Sequence, residues 1–123
     1  NWRAGDTLVS TLDSVVYAVG YTMNDGNYVV LQKGKVLAFY AHLKDTSVKP
    51  GDKISTGTVI GHIGNTGMST AAHLHYGIFI CDDSVNLETI AFTESTDKDL
   101  IFPEGYWIDP LPLLNIPKAW EIR

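Results

Sequence analysis

The chain has 123 residues, a length that fits one domain able to bury a core without disulfide or metal staples. Its formal net charge of −5 offers no basic face to neutralise phosphates, which argues against nucleic acid and against an anionic membrane surface. The single cysteine, Cys81, excludes an internal disulfide and leaves the redox compartment unread, and no apolar run approaches the roughly 18 residues that a membrane span needs.

No signal-peptide pattern opens the chain, and a start at Asn1 without methionine reads as a fragment or a processed form. Strand signals then dominate: short apolar and β-branched runs separated by turn residues. Leu12–Val19 reads as a strand, and Asn24-Asp25-Gly26-Asn27 as a hairpin turn, because Asp-Gly supplies a residue at ease with positive φ. Tyr28–Gln32 and Val36–Ala41 read as the next two strands, joined by a tight turn at Lys33-Gly34-Lys35. Lys44–Asp52 reads as a loop punctuated by Pro50-Gly51. Thr58–Ile63 reads as a short strand, Gly64-Asn65-Thr66-Gly67 as a turn, and His73–Ile80 as a strand of strong β character. Asp82–Glu104 is polar and irregular and reads as an inserted loop. Pro110 and Pro112 prevent a long helix in the tail. No helical periodicity is sustained, so the expected architecture is all-β, a mostly antiparallel sheet or sandwich with long loops, in one domain over residues 1–123.

Four histidines carry the candidate chemistry: His42, His62, His73 and His75. His73 and His75 stand at i and i+2 of a strand, which puts both imidazoles on one face, about 7 Å apart along the chain. One can then ligate a metal while the other handles a proton, and the alternative is a pair of half-exposed strand histidines. His42, at the end of the third strand, reads on its own as a surface histidine. His62, between the core-like Ile60 and Ile63, reads as a solvated or hydrogen-bonded surface group. No Cys-x-x-Cys, His-Glu-x-x-His, P-loop or dinucleotide fingerprint occurs. Ser69, Ser84 and Ser95 lack a nucleophile elbow, and Cys81 reads as a buried or edge thiol.

The series Tyr40-Ala41-His42-Leu43, Val48-Lys49-Pro50-Gly51-Asp52-Lys53-Ile54, Gly57-Thr58-Val59-Ile60-Gly61, Gly64-Asn65-Thr66-Gly67-Met68-Ser69-Thr70 and His73-Leu74-His75-Tyr76 resembles the core of the M23 peptidases, of the LytM and lysostaphin kind. Order and spacing both match, and Trp107-Ile108-Asp109-Pro110-Leu111 is similar to the family's closing segment. The resemblance implies an antiparallel β-sheet groove around one Zn²⁺, used to cut peptide cross-links in bacterial cell walls. It implies metal ligation by an early His and Asp in a His-x-Gly-x-Asp segment and by the second His of His-x-His, here His75. It assigns His42 and His73 to the water and the developing oxyanion. Three protein ligands would leave an open zinc position for water, whose pKa the zinc lowers, while imidazoles move protons.

The early ligands depart from that pattern. Without gaps, His-x-Gly-x-Asp falls on Arg3-Ala4-Gly5-Asp6-Thr7, so Arg3 stands at the His position and Thr7 at the Asp position. A guanidinium stays protonated and cannot ligate zinc, and threonine is a poor neutral ligand. A one-residue shift offers Asp6 but puts Trp2 at the His position. The metal set is then Asp6 and His75, fewer ligands than a catalytic zinc site uses. Arg3 would place its own cation where the metal sits. The expectation is a degenerate M23-like domain that binds peptidoglycan peptide or a partner envelope or assembly protein. No resident cofactor is expected, or Zn²⁺ if an unrecognised ligand completes the site. The alternatives are an active zinc endopeptidase and a purely structural module. The location implied is extracytoplasmic (envelope, periplasm or secreted) or virion-associated.

Overall fold

The computed structural model describes residues 5–66, 75–87, 100–108 and 121–122, with backbone alone for His75 and for residues 121–122. Among the described residues nine strands form one sheet: β1 (Thr7–Val9), β2 (Ser14–Thr22), β3 (Gly26–Lys33), β4 (Val36–Thr46), β5 (Lys53–Ile54), β6 (Val59–Ile63), β7 (His75–Cys81), β8 (Gly105–Ile108) and β9 (Glu121–Ile122). The described residues contain no helix. All ladders are antiparallel except β7 with β9, as the all-β expectation required.

The organising strand is β4. Along one edge it pairs with β3 from Val36 to Leu43. Its other edge is shared: β7 pairs with Val36–Ala41, and β6 takes over from Leu43 to Thr46. The chain therefore brings β1–β6 and β7–β8 to the same side of β4 and end to end, and the changeover falls at His42. The strand expected to stop at Ala41 runs on to Thr46, because β6 supplies a second partner for its backbone groups. The loop expected from Lys44 begins after Thr46 for the same reason.

Side-chain alternation explains why Tyr28–Leu31 of β3 and Val36–Ala41 of β4 are apolar throughout. Val29 and Leu31 on β3, with Ala38 and Tyr40 on β4, enter one core, together with Leu8, Ile60, Ile63, Tyr76 and Ile78. Tyr28, Val30, Leu37, Phe39 and Ala41 point the other way and meet Phe79, Cys81, Val85, Leu87 and Leu100. A central strand covered on both faces has no need of polar alternation. The second core also takes in both described ends of the Asp82–Glu104 segment, which read as an inserted loop. At both of its described ends the segment packs onto the sheet: Val85, Leu87 and Leu100 are buried, and the Phe102 ring meets Phe39, Phe79 and Trp107 at centroid distances of 5.4, 5.2 and 4.7 Å. Its most polar stretch, Glu94–Asp99, lies outside the described residues.

Candidate functional site

The site begins with an irregularity in β4. Asn27 pairs with Leu43 and Val29 with Tyr40, so Tyr28 alone faces both Ala41 and His42. One extra residue on one strand is a β-bulge, a device that re-aims side chains. Its effect can be read from the cores: Tyr40 and Leu43, three apart, enter the same core, which a regular strand would forbid. His42 takes up the difference at φ 59, the one non-glycine residue with positive φ among those described. That conformation costs a residue with a Cβ about 1 kcal/mol or more.

Two contacts hold it. The His42 amide donates to the Asp25 carbonyl at 2.7 Å. The ring nitrogen Nδ1 lies 2.7 Å from the Thr66 carbonyl oxygen. Since a carbonyl can only accept, Nδ1 carries the hydrogen, and in the neutral ring Nε2 is left with its lone pair. Thr66 is itself clamped: its Oγ1 donates to the Leu43 carbonyl at 2.6 Å and accepts from the Asn27 amide at 3.0 Å. His42 is 4% exposed, which corrects its reading as a surface histidine at a strand end. The bulge turns the residue inward, and a single-strand pattern carries no sign of it.

The second part of the site lies across β6. The Gly5 amide donates to the Ile63 carbonyl at 2.7 Å and the Ile63 amide to the Asp6 carbonyl at 2.8 Å. Ile63 thus faces two residues, with Gly5 at φ 91, a bulge built on a left-handed glycine. Beyond it Thr7 is opposite His62 and Leu8 opposite Gly61, and the register shifts again before Val9, which is opposite Val59. Leu8 is buried, while Thr7 and Val9 face outward. On the other side of β6, His62 is opposite Asp45, and its Nδ1 lies 2.7 Å from Asp45 Oδ1. Thr7, His62 and Asp45 therefore form a row across three strands on one face. His62 and Asp45 are 35% and 51% exposed, in keeping with His62 as a hydrogen-bonded surface group.

The third part is β7. His75 pairs with Ala41, the residue before the His42 bulge, so the backbones of His42 and His75 are neighbours. The His75 side chain, Arg3, Trp2 and His73 lie outside the described residues. Beside His75, Tyr76 is fully buried and packs against Tyr40, the rings tilted by 58° with 4.8 Å between centroids. Thr11 Oγ1 lies 2.8 Å from the Tyr40 hydroxyl and 3.0 Å from that of Tyr76. Burial pushes both phenols well above the usual tyrosine range. Burial likewise raises the Cys81 thiol, so this residue is an inert core thiol.

The donor set at the early ligand positions can be tested for zinc. Thr7 offers a neutral hydroxyl, and among the described residues no three of His, Cys, Asp and Glu come together as a metal-holding group. Structural zinc sites use four protein ligands and catalytic ones three, drawn from thiolate, imidazole and carboxylate, and a threonine hydroxyl at Thr7 is not of that donor set. Sequence reasoning missed Asp25, Gly26 and Thr66. All three read as turn residues, and nothing in one sequence shows the turn at Asp25 closing onto a histidine 17 residues on.

The protein-family model for peptidase family M23 matches residues 1–87. The peptidoglycan DD-endopeptidase ShyA of Vibrio cholerae is 40% identical over 83 residues, covering 67% of this chain and 19% of that protein. The chain thus spans about a fifth of that relative's length, and about a quarter of an uncharacterized metalloprotease from Buchnera aphidicola that is 34% identical over 95 residues. Among solved structures, the catalytic domain of lysostaphin from Staphylococcus simulans superposes with a TM-score of 0.68 at 26% identity, covering 93% of this chain and 74% of that one. A zinc-containing peptidase from Vibrio cholerae superposes with a TM-score of 0.61 at 32% identity, covering 63% and 24%.

Proposed function

The chain belongs to peptidase family M23, and from that membership we propose that it is a member which has lost the family's zinc and keeps the fold as a peptide-binding module for cell-wall peptide or for a partner envelope or phage-assembly protein. The observation that carries this reading is Thr7. The Gly5 bulge on Ile63 anchors the start of β1, and in the register of the resemblance Thr7 takes the place of the ligating aspartate. Its hydroxyl cannot replace a carboxylate as a zinc donor. Arg3, at the histidine position of the same register, would bring a fixed cation into the vacated place and pair with a carboxylate such as Asp6.

What remains suits binding. Thr7, Val9 and Val59 leave an outward surface on β1 and β6, Val9 and Val59 being 41% and 42% exposed. His42 presents a preorganised imidazole with Nδ1 already engaged. Peptidoglycan is the favoured ligand class because ShyA is named for action on it. A peptidoglycan ligand would put the chain in an extracytoplasmic or virion-associated location.

A second reading has an observation of its own. His42 is held in an uncommon backbone conformation with its tautomer fixed, as expected of a working acid or base, and strain of this kind clusters at active sites. On that reading the chain is a zinc endopeptidase with a replaced ligand set, and His42 and His73 handle the water and the oxyanion. Zinc stoichiometry separates the two. The protein is purified without chelator, given one equivalent of Zn²⁺ and dialysed. The binding reading expects no retained metal, together with co-sedimentation on purified peptidoglycan. Near-stoichiometric zinc that disappears in His75→Ala overturns it in favour of the endopeptidase.

A further inference from the structure

Asp25 is 3% exposed, and so buried for a carboxylate on a hairpin tip. Such a group persists only where donors surround it. Its Oδ2 accepts from Thr22 Oγ1 at 2.8 Å and from the Leu100 amide at 3.3 Å. Its own amide donates to Thr22 Oγ1 at 3.1 Å, closing a small ring with a residue that is 2% exposed. Its carbonyl accepts the His42 amide. One residue therefore joins the β2–β3 turn, the far end of the inserted segment and the bulge of β4.

We propose that Asp25 is the positioning residue for His42. The carboxylate, gripped by Thr22 and Leu100, fixes the Asp25 peptide unit, and that unit's carbonyl holds the His42 amide in the left-handed bulge. The next residue completes the device. Gly26, at φ 65, packs so closely on Thr66 that an added Cβ would lie 2.3 Å from Thr66 Oγ1 and 2.4 Å from its backbone carbon. The turn thus sets His42 twice, through the amide and through the Thr66 carbonyl that takes Nδ1–H. It also links the histidine to the segment ending at Leu100, so a change there reaches His42 through the carboxylate. This holds whether or not zinc is bound, since both readings of function use His42.

The test reads the imidazole and the amide rather than activity. Long-range ¹H–¹⁵N spectra of the full chain should show His42 as a single tautomer protonated at Nδ1. In Asp25→Ala we expect the averaged pattern of a ring exchanging its proton between both nitrogens. We also expect His42 amide hydrogen exchange faster by about tenfold or more, with the core amides of Val30 and Leu31 changed less. Asp25→Asn keeps an acceptor oxygen and should restore most of the wild-type pattern, and His62, on another part of the sheet, serves as the internal control. If Asp25→Ala fails to fold, Thr22→Val removes the hydroxyl at constant shape and should speed His42 exchange by about threefold. A folded Asp25→Ala, or in its absence a folded Thr22→Val, with wild-type His42 tautomer and exchange overturns the proposal.

Discussion

The Nδ1 atom of His42 lies 2.7 Å from the carbonyl oxygen of Thr66, in a histidine whose own φ is 59. An unusual backbone and a fixed ring orientation therefore occur in one residue, and both are set by the β2–β3 turn. The approach of Thr66 depends on Gly26, where a side chain would strike a threonine whose hydroxyl is bonded to Leu43 and whose carbonyl is bonded to His42. Gly26→Ala combines a positive φ with that clash. It should destabilise the fold by roughly 2 kcal/mol or more, measured as a shift in urea midpoint at constant m-value. A loss under about 0.5 kcal/mol would mean that Thr66 can move aside and that the His42 contact is loosely held.

The paired phenols give a pH dependence with a definite sign. Burial raises Tyr76, helped by the neighbouring Tyr40, and burial likewise raises Tyr40 against the opposing hydrogen bonds of Thr11. In the unfolded chain tyrosine ionises near pH 10, while in the folded chain these two stay neutral. Their contribution to stability is fully present below that pH and is lost as pH rises above it, by about 1.4 kcal/mol per pH unit for each. Tyr76→Phe should therefore flatten the alkaline limb of the stability curve by about one such slope, while costing about 1 kcal/mol near neutrality through the lost bond to Thr11. An unchanged alkaline slope would show that Tyr76 ionises in the folded state.

The fold was largely legible because burial on both faces leaves its mark on composition. The runs Tyr28–Gln32 and Val36–Ala41 are apolar and β-branched, and each sits inside an observed strand. Gly26 and Gly34 mark turns at φ 65 and 60. What could not be read was where a strand acquires a second partner. The continuation of β4 through Lys44 and Asp45 depends on β6, whose sequence distance conceals it. The expectation for the His42 side chain failed for a related reason. A bulge reverses which face a side chain points to, and here it is imposed by Tyr28 across the ladder and by Thr66 from a distant turn. Likewise the buried Val85, Leu87 and Leu100 were lost in a segment dominated by its polar middle. Departures at Arg3 and Thr7 were visible only through the family register, since neither residue type signals a missing metal by itself.

The His62–Asp45 pair should be far less consequential than His42, although its 2.7 Å contact is just as short. Both groups are partly solvated, so solvent screens the attraction, and exposed pairs contribute about 0–1 kcal/mol. Asp45→Asn should lower stability by less than about 1 kcal/mol and leave peptidoglycan co-sedimentation within about twofold of wild type. His42→Ala should weaken co-sedimentation if the groove binds peptide through that imidazole. A large loss on Asp45→Asn with no loss on His42→Ala would move the binding surface to the row formed by Thr7, His62 and Asp45.

If the metal was lost through two early positions, restoring them should bring it back. The double variant Arg3→His and Thr7→Asp reinstates a His and an Asp around Gly5 and leaves His75 as the third ligand of the family pattern. It replaces a fixed cation with an imidazole and a neutral hydroxyl with a carboxylate, the donor types that zinc takes. We expect this variant to retain close to one zinc per chain after dialysis where the wild type retains none. The gained metal should also raise the melting temperature in proportion to free zinc, because a ligand that binds only the folded state stabilises it by mass action. Thr7→Asp alone still leaves Arg3 in place and should gain little. Zinc already present in the wild type, or absent from a folded double variant, would show that these two positions do not decide whether the metal is held.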